Sequence, residues 1–142
     1  MRKLIFSSIV LITLSFSSKA QTDLKTMQDI QTVLTYYLDG GTNGDSVMFS
    51  KAFQPDGQMR FMRNDTVMNV SLKDFMARMR NTGVKTERKT KIENIQVFGN
   101  AASAKLTIEY PTFYFHDIMS LLKTKDGWKI VGKIFYREEK SK

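Results

Sequence analysis

The sequence predicts an α+β fold, and three observations carry that prediction. Early in the chain, apolar residues recur at helical spacing: Leu24, Met27, Ile30, Val33 or Leu34, and Tyr37. After Lys91 the period drops to two, with Ala102, Ala104, Leu106, Ile108 and Tyr110 alternating with Ser103, Lys105, Thr107 and Glu109. A helix repeats roughly every 3.6 residues and a strand every second residue, so the change of period marks a change of structure. Finally, Phe113 to Arg137 reads as two long strands joined by a tight turn at Asp126-Gly127.

Taken in order, the elements are as follows. A first helix spans Thr22 to Leu38, capped by Thr22 or Asp23 and ended by Gly40-Gly41. Asn43-Gly44 is a turn, and Asp45 caps a short second helix, Ser46 to Phe53, closed by Pro55-Asp56-Gly57. A hairpin follows, Gln58 to Arg63 and Thr66 to Val70, around Asn64-Asp65. Ser71 with Asp74 resembles a capping box and starts a third helix, with Leu72, Phe75, Met76 and Met79 as its apolar stripe and Gly83 as its end. Helical spacing alone explains that Met-rich stripe as core. Lys91 to Phe98, Ala101 to Tyr110, Phe113 to Thr124 and Trp128 to Arg137 are then four antiparallel strands, with helices covering one face of a curved sheet.

The last hairpin is apolar on both faces. Phe113, Phe115, Asp117, Met119 and Leu121 share one face, while Tyr114, His116, Ile118, Ser120 and Leu122 share the other. Trp128, Ile130 and Ile134 are expected to oppose Val131 and Phe135. Strands of this kind are usually covered on both sides. The helices cover one side, and a second copy of the chain is the simplest cover for the other, giving a homodimer through the sheet.

Composition narrows the chemistry. Arg2 and Lys3, an apolar run from Leu4 to Phe16 and the small residues of Ser18-Lys19-Ala20 read as a signal peptide over residues 1–20, cut after Ala20. The run is shorter than the ~20 residues of a membrane span. The expectation is therefore an exported protein, periplasmic or extracellular, free of the membrane after cleavage, with residues 21–142 as a single domain. Removing Arg2, Lys3 and Lys19 lowers the formal charge from +8 to +5. The densest basic run, Lys85 to Lys91, reads as a solvated loop, because it lacks the interleaved aromatics of a nucleic-acid site. With no Cys and one His, thiol catalysis and Cys- or His-rich metal sites fall away. No metal and no cofactor are expected.

Several short motifs follow one another in order along the chain. They are Gly44-Asp45, Ala52-Phe53 with Pro55-Asp56, Ser71-Leu72 with Asp74-Phe75, Asn100-Ala101-Ala102 with Ala104-Lys105, Asp117 with Leu121-Leu122-Lys123, and Asp126-Gly127 with Trp128-Lys129-Ile130-Val131, Lys133 and Phe135. In this set the chain resembles the nuclear transport factor 2-like superfamily, with its cystatin-like fold, and within it the small bacterial proteins called "Putative lumazine-binding". The resemblance implies three N-terminal helices on a strongly curved antiparallel sheet of about six strands, shaped as a cone around a central pocket. It also implies frequent dimers. Relatives in the superfamily include ketosteroid isomerase and scytalone dehydratase. The isomerase pattern needs a carboxylate base with a Tyr and a protonated Asp as donors. Tyr36, Tyr37, Tyr110 and Tyr114 offer phenols here, and Asp117 or Glu109 a carboxylate, but none matches the isomerase motif position by position. The dehydratase pattern uses more than one His.

His116 and Asp117 are the one pair with the chemistry of a catalytic dyad. As neighbours on a strand they point to opposite faces, so only one can reach a pocket. Arg60 and Arg63 lie on the first hairpin, and one of them could pair with Glu109 or with an anionic ligand; an ordinary surface or structural ion pair is the favoured expectation. The expected function is the binding of a small, partly aromatic or apolar molecule between helices and sheet. Tyr37, Phe61, Phe75, Tyr110, His116 and Trp128 are the expected pocket residues, with His116 or Asp117 as polar anchor. An isomerase- or dehydratase-like enzyme using the same pocket is one alternative. A structural homodimer with a filled cone is the other.

Overall fold

The computed structural model describes residues 13–141, with side chains from residue 23 onward. The expected leader thus lies largely outside the described residues. Three helices, α1 (Thr13–Thr42), α2 (Ser46–Lys51) and α3 (Leu72–Arg78), accompany six strands. These are β1 (Phe53–Arg63), β2 (Thr66–Ser71), β3 (Lys89–Phe98), β4 (Ala101–Glu109), β5 (Phe113–Thr124) and β6 (Gly127–Glu139). They form one sheet in the order β2-β1-β6-β5-β4-β3. Among the described residues no helix is long and apolar enough to cross a membrane.

The sheet departs from expectation in three ways. It is mixed, because β1 runs parallel to β6 while every other neighbouring pair is antiparallel. It is open and not strongly curled: β2 and β3 stand at opposite edges, and departures from regular register are confined to three places. Bulges are what bend a strand, and three of them bend this sheet only locally. Nor are the helices all N-terminal, since α3 follows the first hairpin and separates β2 from β3.

Local chemistry explains most boundaries. The Asp45 carboxylate accepts from Met48 N at 2.8 Å and starts α2. Ser71 Oγ accepts from Asp74 N at 3.1 Å and so caps α3, but the Asp74 carboxylate accepts from the Ser71 hydroxyl at 2.7 Å and not from its backbone N–H, so the expected capping box is only half formed. Asn64 and Asp65 both take positive φ, 47° and 59°, the geometry that lets a two-residue turn follow the strand twist. The final turn is one residue earlier than expected, with Thr124 pairing Gly127 across Lys125-Asp126. α3 stops at Arg78, well short of Gly83.

Gly40-Gly41 does not end α1, which continues to Thr42. The two glycines instead allow close approach. A Cβ at Gly40 would lie 2.5 Å from Phe49 N, so the bare backbone is what lets α2 pack against α1. Below that crossing, Tyr37, Phe49, Phe53 and Phe75 pack ring to ring with centroids 5.1 to 5.8 Å apart. Ile30, Leu34, Leu106, Ile108, Met119, Leu121 and Ile130 are fully buried between α1 and the sheet. The first fully buried described residue of α1 is Ile30.

Candidate functional site

Two inward side chains at the centre of the sheet are charged. Alternation along β5 turns Asp117 inward beside Met119 and Leu121, and Asp117 has no exposed surface. β6 needs a bulge to match it. Ser120 pairs with Gly132 and Leu121 with Ile130, leaving Val131 as an extra residue. One extra residue flips the faces of everything after it. Lys133 therefore follows Ile130 into the interior, while Ile134 turns outward and is 53% exposed. That corrects the expectation that Ile134 shares a face with Ile130. At Gly132, beside the bulge, a Cβ would meet only Ser120 Cβ at 3.8 Å, so the space there does not itself require a glycine.

Asp117, Lys133 and Tyr37 of α1 form a closed group. Tyr37 OH donates to Asp117 Oδ2 at 2.6 Å. Lys133 Nζ donates to Tyr37 OH at 2.6 Å and lies 3.0 Å from the same carboxylate oxygen. The ammonium also sits 4.6 Å from the Phe135 ring centroid and 5.0 Å from that of Tyr37, so aromatic faces replace part of its lost hydration. Burial lowers the pKa of Lys133, and Asp117 opposes that shift. Burial, then the charge of Asp117, raises the phenol of Tyr37 well above its ordinary value. Asp117 Oδ1 has no hydrogen-bond partner among the described residues.

This group forms part of the wall of a cavity of about 530 Å³ between the helices and the inner face of the sheet. Tyr37, Phe49, Met59, Phe61, Phe75, Phe115 and Phe135 supply apolar wall, and Arg78, Arg88 and Lys133 supply cations. Asp117 is not part of the lining. It sits behind Tyr37 and Lys133, so its carboxylate is in no position to take a proton from a molecule in the cavity. The Tyr37 proton is likewise committed to Asp117. Lys133 itself belongs to the lining.

Arg88 is the other polar feature of the wall. Its Nε donates to Thr42 Oγ1 at 2.8 Å, Nη1 to Tyr110 OH at 2.9 Å and Nη2 to Leu38 O at 2.6 Å. It thus caps the carbonyl end of α1, where a cation is favoured. A Cβ at Gly41 would collide with Arg88 Nη2, so the second glycine makes room for this side chain.

The expected site residues divide cleanly. Tyr37, Phe61, Phe75 and Tyr110 line the cavity. His116 does not: it lies on the opposite face of the sheet, where its Nε2 is 2.6 Å from Glu138 Oε2. There it borders a second depression of about 470 Å³ with Ile118, Ile134 and Tyr136. Trp128 is absent from the cavity wall because it is buried in the core, its Nε1 without a partner among the described residues. The His116–Asp117 dyad is excluded by the strand itself, which sends the two side chains to opposite faces. Arg60 borders the second depression, Arg63 lies 5.4 Å from the Phe61 ring centroid, and Glu109 pairs instead with Lys140 at 2.7 Å. Among the described residues no three His, Asp or Glu side chains gather as metal ligands.

Lys133 and Arg88 were not foreseen from the sequence as site residues. Gly132 inside an otherwise apolar strand is the signal that points to the bulge, and so to Lys133. Arg88 is one cation in a basic run, and nothing local distinguishes it.

Comparison with known proteins agrees with this architecture. An NTF2-like protein of unknown function from Shewanella baltica OS155 superposes with a TM-score of 0.73 at 26% identity, over 81% of this chain and 95% of that one. Another, from Methylobacillus flagellatus KT, gives 0.70 at 27% identity, over 80% and 93%. A domain of unknown function with a cystatin-like fold from Nostoc punctiforme PCC 73102 gives 0.64 at 16%, over 83% and 79%, a likeness of fold alone. No curated protein sequence matches the chain. The family described as "Putative lumazine-binding" matches residues 25–136, nearly the whole described fold, and the chain belongs to that family, within the NTF2-like superfamily.

Proposed function

We propose that this protein is an exported binding module that holds a small, largely apolar or aromatic molecule in the cavity between its helices and the inner face of its sheet. The observation that carries the reading is the cavity itself, about 530 Å³ and walled by seven aromatic side chains. A space of that size suits a small organic ligand, and aromatic walls with a few fixed polar groups are what such sites use. Export rests on the N-terminal leader pattern. A cut after Ala20 would leave intact the buried stretch of α1, which starts at Ile30. A binding role is favoured over an isomerase-like one because Asp117 is held behind Tyr37 and Lys133, away from the cavity surface.

The outer face of the sheet supports a homodimer. Met62, Val67, Ile118, Ile134 and Tyr136 are all roughly half exposed or more, on strands β1, β2, β5 and β6. An exposed apolar patch of this kind calls for cover, and a two-fold contact covers it on both copies at once.

One experiment reads both parts. Native mass spectrometry of the protein purified from the exported fraction of its own host is expected to give a dimer carrying an added small mass, released on denaturation. A chain that is empty, and whose melting temperature is not raised by any aromatic compound of cavity size, would overturn the ligand reading. A monomer at micromolar concentration would overturn the dimer.

A further inference from the structure

We infer that the molecule bound in this cavity is a monoanion, an apolar or aromatic body bearing one carboxylate-type group that docks on Arg88. This rests on the reading of the cavity as a ligand site and adds the charge of the ligand to it.

The argument is a count of charge and of donors. The described lining contains Arg78, Arg88 and Lys133 and no Asp or Glu. Lys133 is matched by Asp117 directly behind it, 3.0 Å away. Wherever their shared proton sits, that pair is neutral overall. Arg78 lies on α3 and is exposed, so water screens it. Arg88 is different. It is half-buried, and all three of its protein acceptors are uncharged: a hydroxyl, a phenol and a carbonyl. No described carboxylate forms an ion pair with it. The carbonyl end of α1 supplies about half an elementary charge and leaves the rest uncompensated. A guanidinium has five N–H donors, and three are used, so two remain. A carboxylate presents two acceptor oxygens and takes such a pair of donors well.

The site is also built in advance of any ligand. Thr42, Tyr110 and Leu38 hold the guanidinium in place, and Gly41 leaves room for it. An arginine fixed in this way loses little freedom on binding, which favours affinity. The rest of the lining is apolar and suits the body of the molecule. One uncompensated, half-buried cation matches one negative charge; a dianion would leave a charge unpaired beside aromatic walls.

The test uses two probes with the same rings, the anion anilinonaphthalene sulfonate and its uncharged parent N-phenylnaphthylamine, followed by fluorescence. The anion is expected to bind at least tenfold more tightly, to weaken as salt rises, and to be displaced by naphthoate better than by naphthyl phosphate or naphthylmethylamine. Arg88→Gln is expected to abolish the preference, and Arg88→Lys to retain part of it. Because Arg88 also caps α1, circular dichroism must show that each variant is folded; the comparison of the two probes on the unaltered protein stands without them. Met79→Trp, which crowds the cavity wall, should weaken both probes. Equal binding of the two probes would overturn the inference while leaving the cavity reading intact. A preference that survives Arg88→Gln in a folded protein, or probe binding unaffected by Met79→Trp, would overturn the assignment to this site. Binding of neither probe would overturn the cavity reading itself, and the inference with it.

Discussion

The two faces of the β5–β6 ladder carry the same kinds of group, an acid and a base set among apolar neighbours, and treat them in opposite ways. On the inner face Asp117 and Lys133 are withdrawn from water and share a third partner, Tyr37. On the outer face His116 and Glu138 meet at 2.6 Å with about a third and a half of their side chains exposed. Asp117 and His116 are adjacent in sequence, and the pleat of one strand decides between them. Inside, desolvation makes each charge costly unless its partner is present. Outside, water stabilises either charge alone, so the partner matters little. The difference teaches that the inner group acts as a unit and the outer pair does not.

The largest expected effect comes from breaking the inner unit. Asp117→Ala strands an ammonium among aromatic rings and should cost about 3–5 kcal/mol of stability, the usual result of removing one partner of a buried pair. Lys133→Met alone should also destabilise, because it leaves a buried carboxylate with one donor. The double variant Asp117→Ala with Lys133→Met should recover much of the loss, since no charge is then buried. Chemical denaturation of all four proteins measures the coupling. Additive losses would show that the two residues do not act together.

What the sequence made legible follows the same division. Alternation along β5 placed Asp117 and His116 on opposite faces, Asp45 and Ser71 cap helices by accepting from nearby backbone N–H groups, and Asn64-Asp65 form a turn by taking positive φ. These features are local, and local chemistry is readable. The partnership of Asp117 with Lys133 was not, because it depends on one extra residue at Val131 that reverses the face of everything after it. Arg88 was hidden for a different reason: its role depends on the end of α1, about fifty residues earlier in the chain, at 2.6 Å from Leu38 O. The parallel pairing of β1 with β6 is equally non-local, since the two strands are separated by most of the fold. Alternation and helical spacing point to Tyr37, Phe61, Phe75 and Tyr110, which do line the cavity, whereas His116 and Asp117, the expected polar anchors, are not exposed to it.

A smaller effect isolates the phenol of the inner unit. Tyr37→Phe removes a hydrogen bond to a charged group and should cost about 1.5–3 kcal/mol near neutral pH. Its pH dependence gives the sharper test. In the folded protein the Tyr37 phenol is held well above its ordinary value near 10.0, first by burial and then by Asp117. Below pH 10.0 both folded and unfolded chains keep the proton, and the contribution is complete. Above it the unfolded chain loses the proton while the folded chain retains it, so stability falls as pH rises through that window. Lys133 works in the opposite sense below its ordinary value of 10.5, because its folded pKa is lowered and the unfolded chain binds the proton more readily. The stability of the unaltered protein relative to Tyr37→Phe should therefore be level up to about pH 10 and decline beyond it. A flat difference through the alkaline range would mean that burial and Asp117 together do not hold the phenol's proton.

The smallest effect belongs to the outer pair, and its smallness is the point. His116 and Glu138 face each other at hydrogen-bonding distance, a geometry that on inspection looks as strong as that of Tyr37 and Asp117. Exposure removes most of its value, because the Glu138 carboxylate remains hydrated when the imidazole is gone. His116→Gln should change stability by no more than about 0.5–1 kcal/mol, and that change should shrink further in high salt. Measured in dilute protein, where a sheet-to-sheet dimer would dissociate, the value refers to the exposed face. Repeated at high concentration, it refers to the covered one. If His116→Gln is silent in the first case but costs several-fold in dimer affinity in the second, cover by a second copy has made the outer pair resemble the inner one. If it costs as much as Asp117→Ala even in dilute solution, burial is not what separates the two faces.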